Sequence, residues 1–328
     1  MNDMRAIVIS APGGPEVLQE RRLPIPEATE DSVVLRIRAF GLNHAEAYFR
    51  RGVWGEVAQV SGIECVGEVH DPGGSELCEG QRALALMGGM GRSINGSYAQ
   101  YVRVPVANVV PIESTRAWPE LAAIPESYAT AWTFLQQNLQ LSAGHTLVVR
   151  GGTSALGQAA INLARDWGVR VLATTRSPAK TVILESLGAE PLLDAPALSA
   201  EILERVPAGV DAVLDIVGTS TLLDSFKMVR YRGRVALAGF LGGGTPLTLD
   251  PLRGMPSGMQ FSFFASAFVF GTPDLPLSDI PFAEFIARAE QGIYKTSPAH
   301  VFEFERIVDA HRLMESGAAR GKIVVVTP

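Results

Sequence analysis

The segment Thr146-Leu-Val-Val-Arg-Gly-Gly-Thr-Ser-Ala-Leu-Gly157, continued by Gln158-Ala-Ala-Ile-Asn-Leu-Ala-Arg165, decides the fold. It reads as an apolar strand, a tight turn of small residues and an amphipathic helix. Small residues let the backbone approach a pyrophosphate closely, and the free N–H groups and positive dipole end of the helix favour negative charge there. Gly152, Thr153, Ser154, Ala155, Leu156 and Gly157 are the expected phosphate-binding residues. The turn departs from the all-glycine form, since Ser154 stands between Gly151 and Gly157. A tight turn without a ligand would look similar, so the next strand carries weight.

That strand, Val169-Arg-Val-Leu-Ala-Thr-Thr-Arg176, ends without the Asp or Glu that accepts hydrogen bonds from the ribose hydroxyls of NAD. It offers Thr175, Arg176, Ser177 and, a helical turn later, Lys180. Two cations and two hydroxyls there suit a 2′-phosphate, which points to NADPH. The alternative is that Ser177 and Pro178 start a helix and Arg176 and Lys180 are surface charges.

Outward from this motif, apolar runs alternate with helical patterns: His145–Arg150, Leu156–Trp167, Val169–Thr175, Ala179–Leu187, Val210–Val217, Leu222–Val229 and Arg234–Phe240. Such alternation implies a doubly wound parallel sheet. Upstream, short apolar strands are expected at Arg5–Ala11, Ser32–Asn43, Cys65–His70, Arg82–Met87 and Ser97–Val104, punctuated by Gly and Pro. They describe an irregular β domain. Downstream come an apolar segment, Phe261–Phe270, helices at Phe282–Gln291 and Phe304–Ser316, and a strand at Lys322–Val326. This tail is expected to return to the first domain.

A chain of 328 residues is comfortable for two domains. Hydrophobic content of 47% against 19% charged describes a globular protein. A formal net charge of -6 without a basic block argues against nucleic acid or anionic lipid as the main partner. No apolar run approaches a membrane span, and Met1 to Ser10 lacks the long apolar core of a secretion signal, so a cytoplasmic location is expected. Cys65 and Cys78 are too few for a disulfide framework or a four-cysteine zinc site.

The order of parts resembles the medium-chain dehydrogenase/reductase superfamily, in its zinc-free quinone oxidoreductase branch, nearly end to end. The markers are Gly41-Leu-Asn43, Ser61-Gly-Ile-Glu-Cys-Val-Gly67, Ser127-Tyr-Ala-Thr-Ala-Trp132, Val149 to Gly157, and Ala310-His-Arg-Leu-Met-Glu-Ser-Gly317 followed by Gly321-Lys322. The resemblance implies a GroES-like domain over residues 1–122, completed by the tail 268–328, and a Rossmann NADPH-binding domain over 123–267. It implies a homodimer, formed near Phe261–Phe270. Where zinc alcohol dehydrogenases of the superfamily carry a Cys and a His, this chain has Asn43 and Ile63, and it lacks the four-cysteine lobe of their structural zinc. No metal is expected.

Without a Lewis acid, a conjugated acceptor is the easier substrate, because hydride addition spreads charge onto an oxygen that weaker donors stabilise. The expected activity is NADPH-dependent reduction of a quinone or an α,β-unsaturated carbonyl. Asn43 and Tyr48 match the family's Asn and Tyr in the segment lining the nicotinamide pocket, and are the expected groups for polarising the carbonyl. In similar enoyl thioester reductases a proton-donating Tyr falls near Trp54, where this chain has no phenol, which makes a fatty enoyl thioester a weaker match. Thr130 matches a Thr near the nicotinamide carboxamide. Gly218, Gly239 and Phe240 belong to the carboxyl edge of the sheet, where such folds bind ligands. The loop Met87-Gly-Gly-Met-Gly-Arg92 is expected to be flexible and to edge the substrate pocket. A zinc alcohol dehydrogenase and an NADPH-binding protein without catalysis are the rival readings.

Overall fold

The computed structural model describes residues 3–328. They form two compact units. The first takes in residues up to Glu126, Ala265–Gln291 and Thr296–Pro328, and the second Ser127–Phe264 and Gly292–Lys295.

In the first unit, β1 (Asp3–Ile9) and β2 (Leu18–Pro24) make an antiparallel ribbon. A second sheet is built from β3 (Ser32–Gly41), β4 (Glu64–Asp71), β5 (Arg82–Leu86), β6 (Tyr101–Pro105), β7 (Val109–Pro111), β14 (His300–Glu303) and β15 (Ile323–Val326). It runs β14-β15-β3-β4-β5-β7, with β6 also paired to β3. Two of its strands therefore come from the tail. Val33, Leu35 and Ile37 are at most 1% exposed, so β3 forms the spine of this core. The β3–β4 register shifts twice, the bulges that let a small sheet coil. Helix α1 (His44–Arg50) follows β3, and α2 (Trp118–Ala122) lies against β3, β4 and β15.

The second unit holds six parallel strands: β8 (Thr146–Arg150), β9 (Arg170–Thr175), β10 (Glu190–Leu193), β11 (Val210–Asp215), β12 (Val229–Leu237) and β13 (Gln260–Phe263). Their order is β10-β9-β8-β11-β12-β13. Leu147, Val148 and Val149 are wholly buried, as a central parallel strand covered on both faces requires. The chain leaves β8 towards β9 and leaves β11 towards β12. The carboxyl ends of β8 and β11 therefore flank the topological switch point, where open α/β sheets bind ligands. The remaining helices are α3 (Pro125–Thr133), α4 (Ala155–Asp166), α5 (Thr181–Ser186), α6 (Leu198–Arg205), α7 (Thr219–Phe226), α8 (Pro251–Gly254), α9 (Ser266–Val269), α10 (Phe282–Glu290) and α11 (Ile307–Glu315).

Several expected elements have other bounds or another form. Phe261–Phe270 is not one segment, because the chain leaves β13 at Phe263 and turns into α9. The strand expected at Arg234–Phe240 begins at Val229 and ends at Leu237. Its first half, Arg230-Tyr-Arg-Gly233, hides it from an apolar-run reading, and Arg232 has a φ of 61°. The helix expected from Leu222 starts at Thr219. Leu198–Arg205 and Glu190–Leu193 are elements that no expected segment covered.

Candidate functional site

The glycine turn after β8 is built by backbone geometry that side chains would spoil. Gly151 has a φ of 88°, in the left-handed region that favours glycine. A Cβ on Gly157 would lie 2.6 Å from the Gly151 carbonyl oxygen, so this glycine permits the close approach of α4 to the turn. Ser154 caps α4: its hydroxyl accepts from Gly157 N–H at 3.0 Å and donates to the Gly151 carbonyl at 2.8 Å. The backbone N–H groups of Ala155 and Leu156 lie in the first turn, where a helix supplies no acceptor of its own. Gly152 N–H donates to Thr174 O and Gly151 N–H to the Thr174 hydroxyl, which tie the turn to β9. The N–H groups of Gly151, Gly152, Ser154 and Gly157 are thus engaged within the turn, which leaves those of Ala155 and Leu156 at the start of α4 to meet a phosphate.

Beyond β9, Arg176 is exposed and has no acidic partner among the described residues, while Ser177 and Lys180 are half-buried. Thr175 is 4% exposed, and its hydroxyl accepts from Ser177 N–H at 3.3 Å. The hydroxyl expected from Thr175 for a 2′-phosphate is therefore turned into the loop. Gly218, with a φ of 117°, follows β11, and its N–H donates to Asp215. A Cβ there would meet the Gly243 and Gly239 carbonyls at 2.9 and 3.2 Å. Gly239 and Phe240 lie past the end of β12 rather than in it, and Phe240 packs against Phe263. Thr130 is buried on α3.

In the first unit, Asn43 stands at the N-terminus of α1, and its side chain is engaged within the fold. Its amide nitrogen donates to Glu64 at 2.9 Å, and its carbonyl oxygen accepts from Lys322 Nζ at 2.7 Å. The carbonyl-polarising role expected of Asn43 thus meets a side chain already held by two buried charges. Tyr48 is half-buried on α1, and its ring packs tilted against Trp54, itself 49% exposed, at 5.2 Å between centroids. Burial pushes the Tyr48 phenol pKa up, so it stays protonated as a donor. The loop 87–92 is more ordered in its packing than its glycines suggest: Met87 and Met90 are 4% and 1% exposed, and Arg92 lies over the Phe268 ring at 4.4 Å.

Other charged groups escaped the sequence reading. Glu46, Glu64 and Lys322 form a buried cluster with Asn43, extended through Tyr98 to His311. Burial pushes the Glu46 carboxyl up to about 7 against hydrogen bonds from Asn43 N–H and Tyr98. Burial likewise drives His311 down to about 3, assisted by Arg50 and His44. In the second unit Arg150 is 2% exposed and contacts Asp194 and Asp224. The available signal was a cation closing an otherwise apolar central strand, which must find acids inside the fold. Among the described residues, no group of three or more His, Cys, Asp or Glu is placed to hold a metal ion. No described helix is long and apolar enough to cross a membrane.

A doubly wound sheet with a glycine turn at its switch point, joined in one chain to a coiled β unit, defines a two-domain dehydrogenase fold. The alcohol dehydrogenase GroES-like domain matches residues 29–114, and the zinc-binding dehydrogenase domain matches 155–268. The chain belongs to the medium-chain dehydrogenase/reductase superfamily. It is 29% identical to squalestatin tetraketide synthase clz2 of Cochliobolus lunatus over 98% of its own length, and spans only 13% of that protein. It is 24% identical to the quinone oxidoreductase of Mus musculus over 98% of both chains. A mycobacterial protein solved in complex with NADPH superposes with a TM-score of 0.86 over 98% of this chain and 99% of its own, at 24% identity, a likeness of fold.

Proposed function

We propose that this chain is an NADPH-dependent, zinc-independent oxidoreductase that reduces a quinone or an α,β-unsaturated carbonyl. The observation that carries the reading is the end of β9, where exposed Arg176 with Ser177 and Lys180 stands in place of the acid that would favour NAD. The glycine turn and the first turn of α4 would hold the pyrophosphate, and Arg176 with Ser177 the 2′-phosphate. NADPH, when bound, supplies a hydride. Tyr48 would then donate a hydrogen bond to the acceptor's carbonyl oxygen, a role worth roughly 3 kcal/mol where charge develops. Asn43 positions α1, which carries Tyr48, rather than touching substrate. The quinone oxidoreductase and the NADPH-bound structure among its relatives support the same reading, and a soluble, cytoplasmic protein accords with it.

The test is a fluorescence titration with NADPH and NADH on metal-free protein, then turnover with 9,10-phenanthrenequinone, simple enones and an enoyl thioester. The thioester belongs in the panel because a synthase of polyketides is among the relatives. Arg176→Ala is expected to weaken NADPH by about 1.5 to 3 kcal/mol, roughly 10- to 150-fold, and leave NADH unchanged. Tyr48→Phe is expected to lower kcat/KM without moving cofactor affinity. Equal affinity for both cofactors would remove the NADPH assignment, and binding without any turnover would replace an enzyme with a cofactor-holding protein.

The same reading includes a homodimer through the second unit. The outer strand of its sheet, β13, presents Phe261 at 43% and Phe263 at 53% exposure, and nearby α8 presents Leu252 at 95%. An open apolar sheet edge invites a second copy. Light scattering is expected to give twice the chain mass, and a monomer at micromolar concentration would end this part of the proposal.

A further inference from the structure

Arg150 closes β8 and lies opposite Asp215 in the β8–β11 pairing. At 2% exposure it needs acids, and it has them on both sides. Its Nε and Nη2 donate to Asp194 at 2.8 to 3.2 Å. Its Nη1 donates to Asp224 at 3.0 Å, the Thr221 carbonyl at 3.1 Å and the Ser225 hydroxyl at 3.3 Å.

The network does not stop at these acids. On one side, the Thr174 hydroxyl donates to Asp194 at 3.0 Å and accepts from Gly151 N–H at 3.0 Å. On the other, the Ser225 hydroxyl donates to Asp215 at 2.6 Å, and Asp215 accepts from Val217 and Gly218 N–H at 2.9 and 3.0 Å. A continuous path thus runs from the first glycine of the phosphate turn, through one guanidinium, to the glycine after β11. Both ends lie at the switch point of the sheet. Three carboxylates surround this single cation, immediately behind a turn suited to phosphates.

We propose that Arg150 is a positioning residue for the dinucleotide: it locks the turns at Gly151 and Gly218 into one geometry and offsets the acids that would repel the cofactor's phosphates. The ligand named here rests on the NADPH reading above; the coupling of the two turns is a property of the protein alone. A planar fork suits this place because its three nitrogens serve Asp194 on one side and Asp224, the Thr221 carbonyl and Ser225 on the other, more partners than the three donors of an ammonium can meet. A residue that only stabilised the fold would change the folded fraction and leave the affinity of folded protein alone.

The experiment combines hydrogen exchange on the cofactor-free protein with NADPH titration, for wild type, Arg150→Lys and Arg150→Met. In Arg150→Met, exchange is expected to quicken together at 151–157 and 217–219, and the Kd for NADPH to rise about tenfold or more, as removal of a full charge near phosphates implies. The kcat at saturating NADPH is expected to hold, which separates positioning from catalysis. Arg150→Lys is expected to recover part of the affinity. Unchanged exchange at 217–219, or an unchanged Kd in folded Arg150→Met, would overturn the proposal. If Arg150→Met does not fold, Thr174→Val cuts the path between Asp194 and Gly151 with every charge in place. It should loosen 151–157 and weaken NADPH while sparing 217–219, and no effect on either would equally overturn the proposal. Wild-type protein that fails to bind NADPH would instead sink the cofactor reading, with the exchange data still deciding whether Arg150 couples the turns.

Discussion

Each unit buries a polar network, and the two handle charge differently. In the second unit, Asp215 is held by the N–H groups of Val217 and Gly218 and by the hydroxyls of Thr221 and Ser225, with Arg150 paired to its neighbours. Two of those donors lie on α7 and two in the turn that leads into it. In the first unit, Lys322 pairs with Glu64, and Glu46 is left with Asn43 N–H, Ile63 N–H and the Tyr98 hydroxyl. Tyr98 also meets His311, whose Nδ1 has no partner among the described residues. One network is anchored to two backbone turns, while the other ends in groups that exchange protons. Burial pushes the Asp215 and Glu46 carboxyls both up against their hydrogen-bond donors, and Glu46, joined through Tyr98 to the buried His311, reaches about 7.

The largest effect should come from breaking the one full ion pair of the first network. Glu64 is wholly buried, so Lys322→Met leaves its carboxylate without a counter-charge, at about 3 to 5 kcal/mol of stability by urea denaturation. Lys322→Met combined with Glu64→Gln should recover most of that loss, because the expense lies in an unpaired buried charge. A double variant no more stable than the single one would show that packing of the lysine stem carries the effect.

Next comes the proton balance at Glu46 and His311. The Glu46 pKa rises from 4.5 to about 7 on folding, so the folded state binds the extra proton between those values. Stability is therefore greatest below pH 4.5 and falls by about 3 kcal/mol as pH rises to 7. His311 falls from 6.5 to about 3 on folding, so its contribution is present above pH 6.5 and lost as pH falls towards 3. The groups facing this pair include Lys322, Glu64, Arg50 and His44. Between pH 4.5 and 6.5 the two slopes oppose, and wild-type stability should be nearly flat. Glu46→Gln should unmask loss on acidification, and His311→Leu loss on alkalinisation. Parallel curves for all three proteins would refute the assignment.

The same contrast shows what the sequence could disclose. The strand, turn and helix around Gly151–Gly157 were legible because apolar periodicity and small residues are local signals that the fold then uses locally. The Arg150 and Lys322 networks were not, since Asp194, Asp224, Glu64 and Asn43 approach them only through tertiary packing, from 21 to 279 positions apart in the case of Glu64 and Lys322 with Asn43. Asn43 was found as a matching residue, yet a match of type does not reveal that Lys322 holds its carbonyl oxygen. Gly67 is a further case: only the folded sheet shows that a Cβ there would run into the Arg36 carbonyl oxygen.

The smallest expected effect tests whether exposure, rather than the number of hydrogen bonds, sets these magnitudes. Ser154 makes two good bonds at the start of α4, much as Tyr98 does in the first unit, but Ser154 is only half-buried. In Ser154→Ala, the buried Gly157 N–H loses its acceptor, while the half-buried Gly151 keeps its carbonyl near the surface. The loss should be about 1 kcal/mol, the usual value for a helix N-cap, read as a small drop in Tm. Tyr98→Phe removes a hydroxyl between Glu46 and His311, all three of them wholly buried, and should cost more. Equal losses in the two variants would mean that burial does not distinguish the networks, and the reading of Glu46 as a site made protonatable by its enclosure would fall with it.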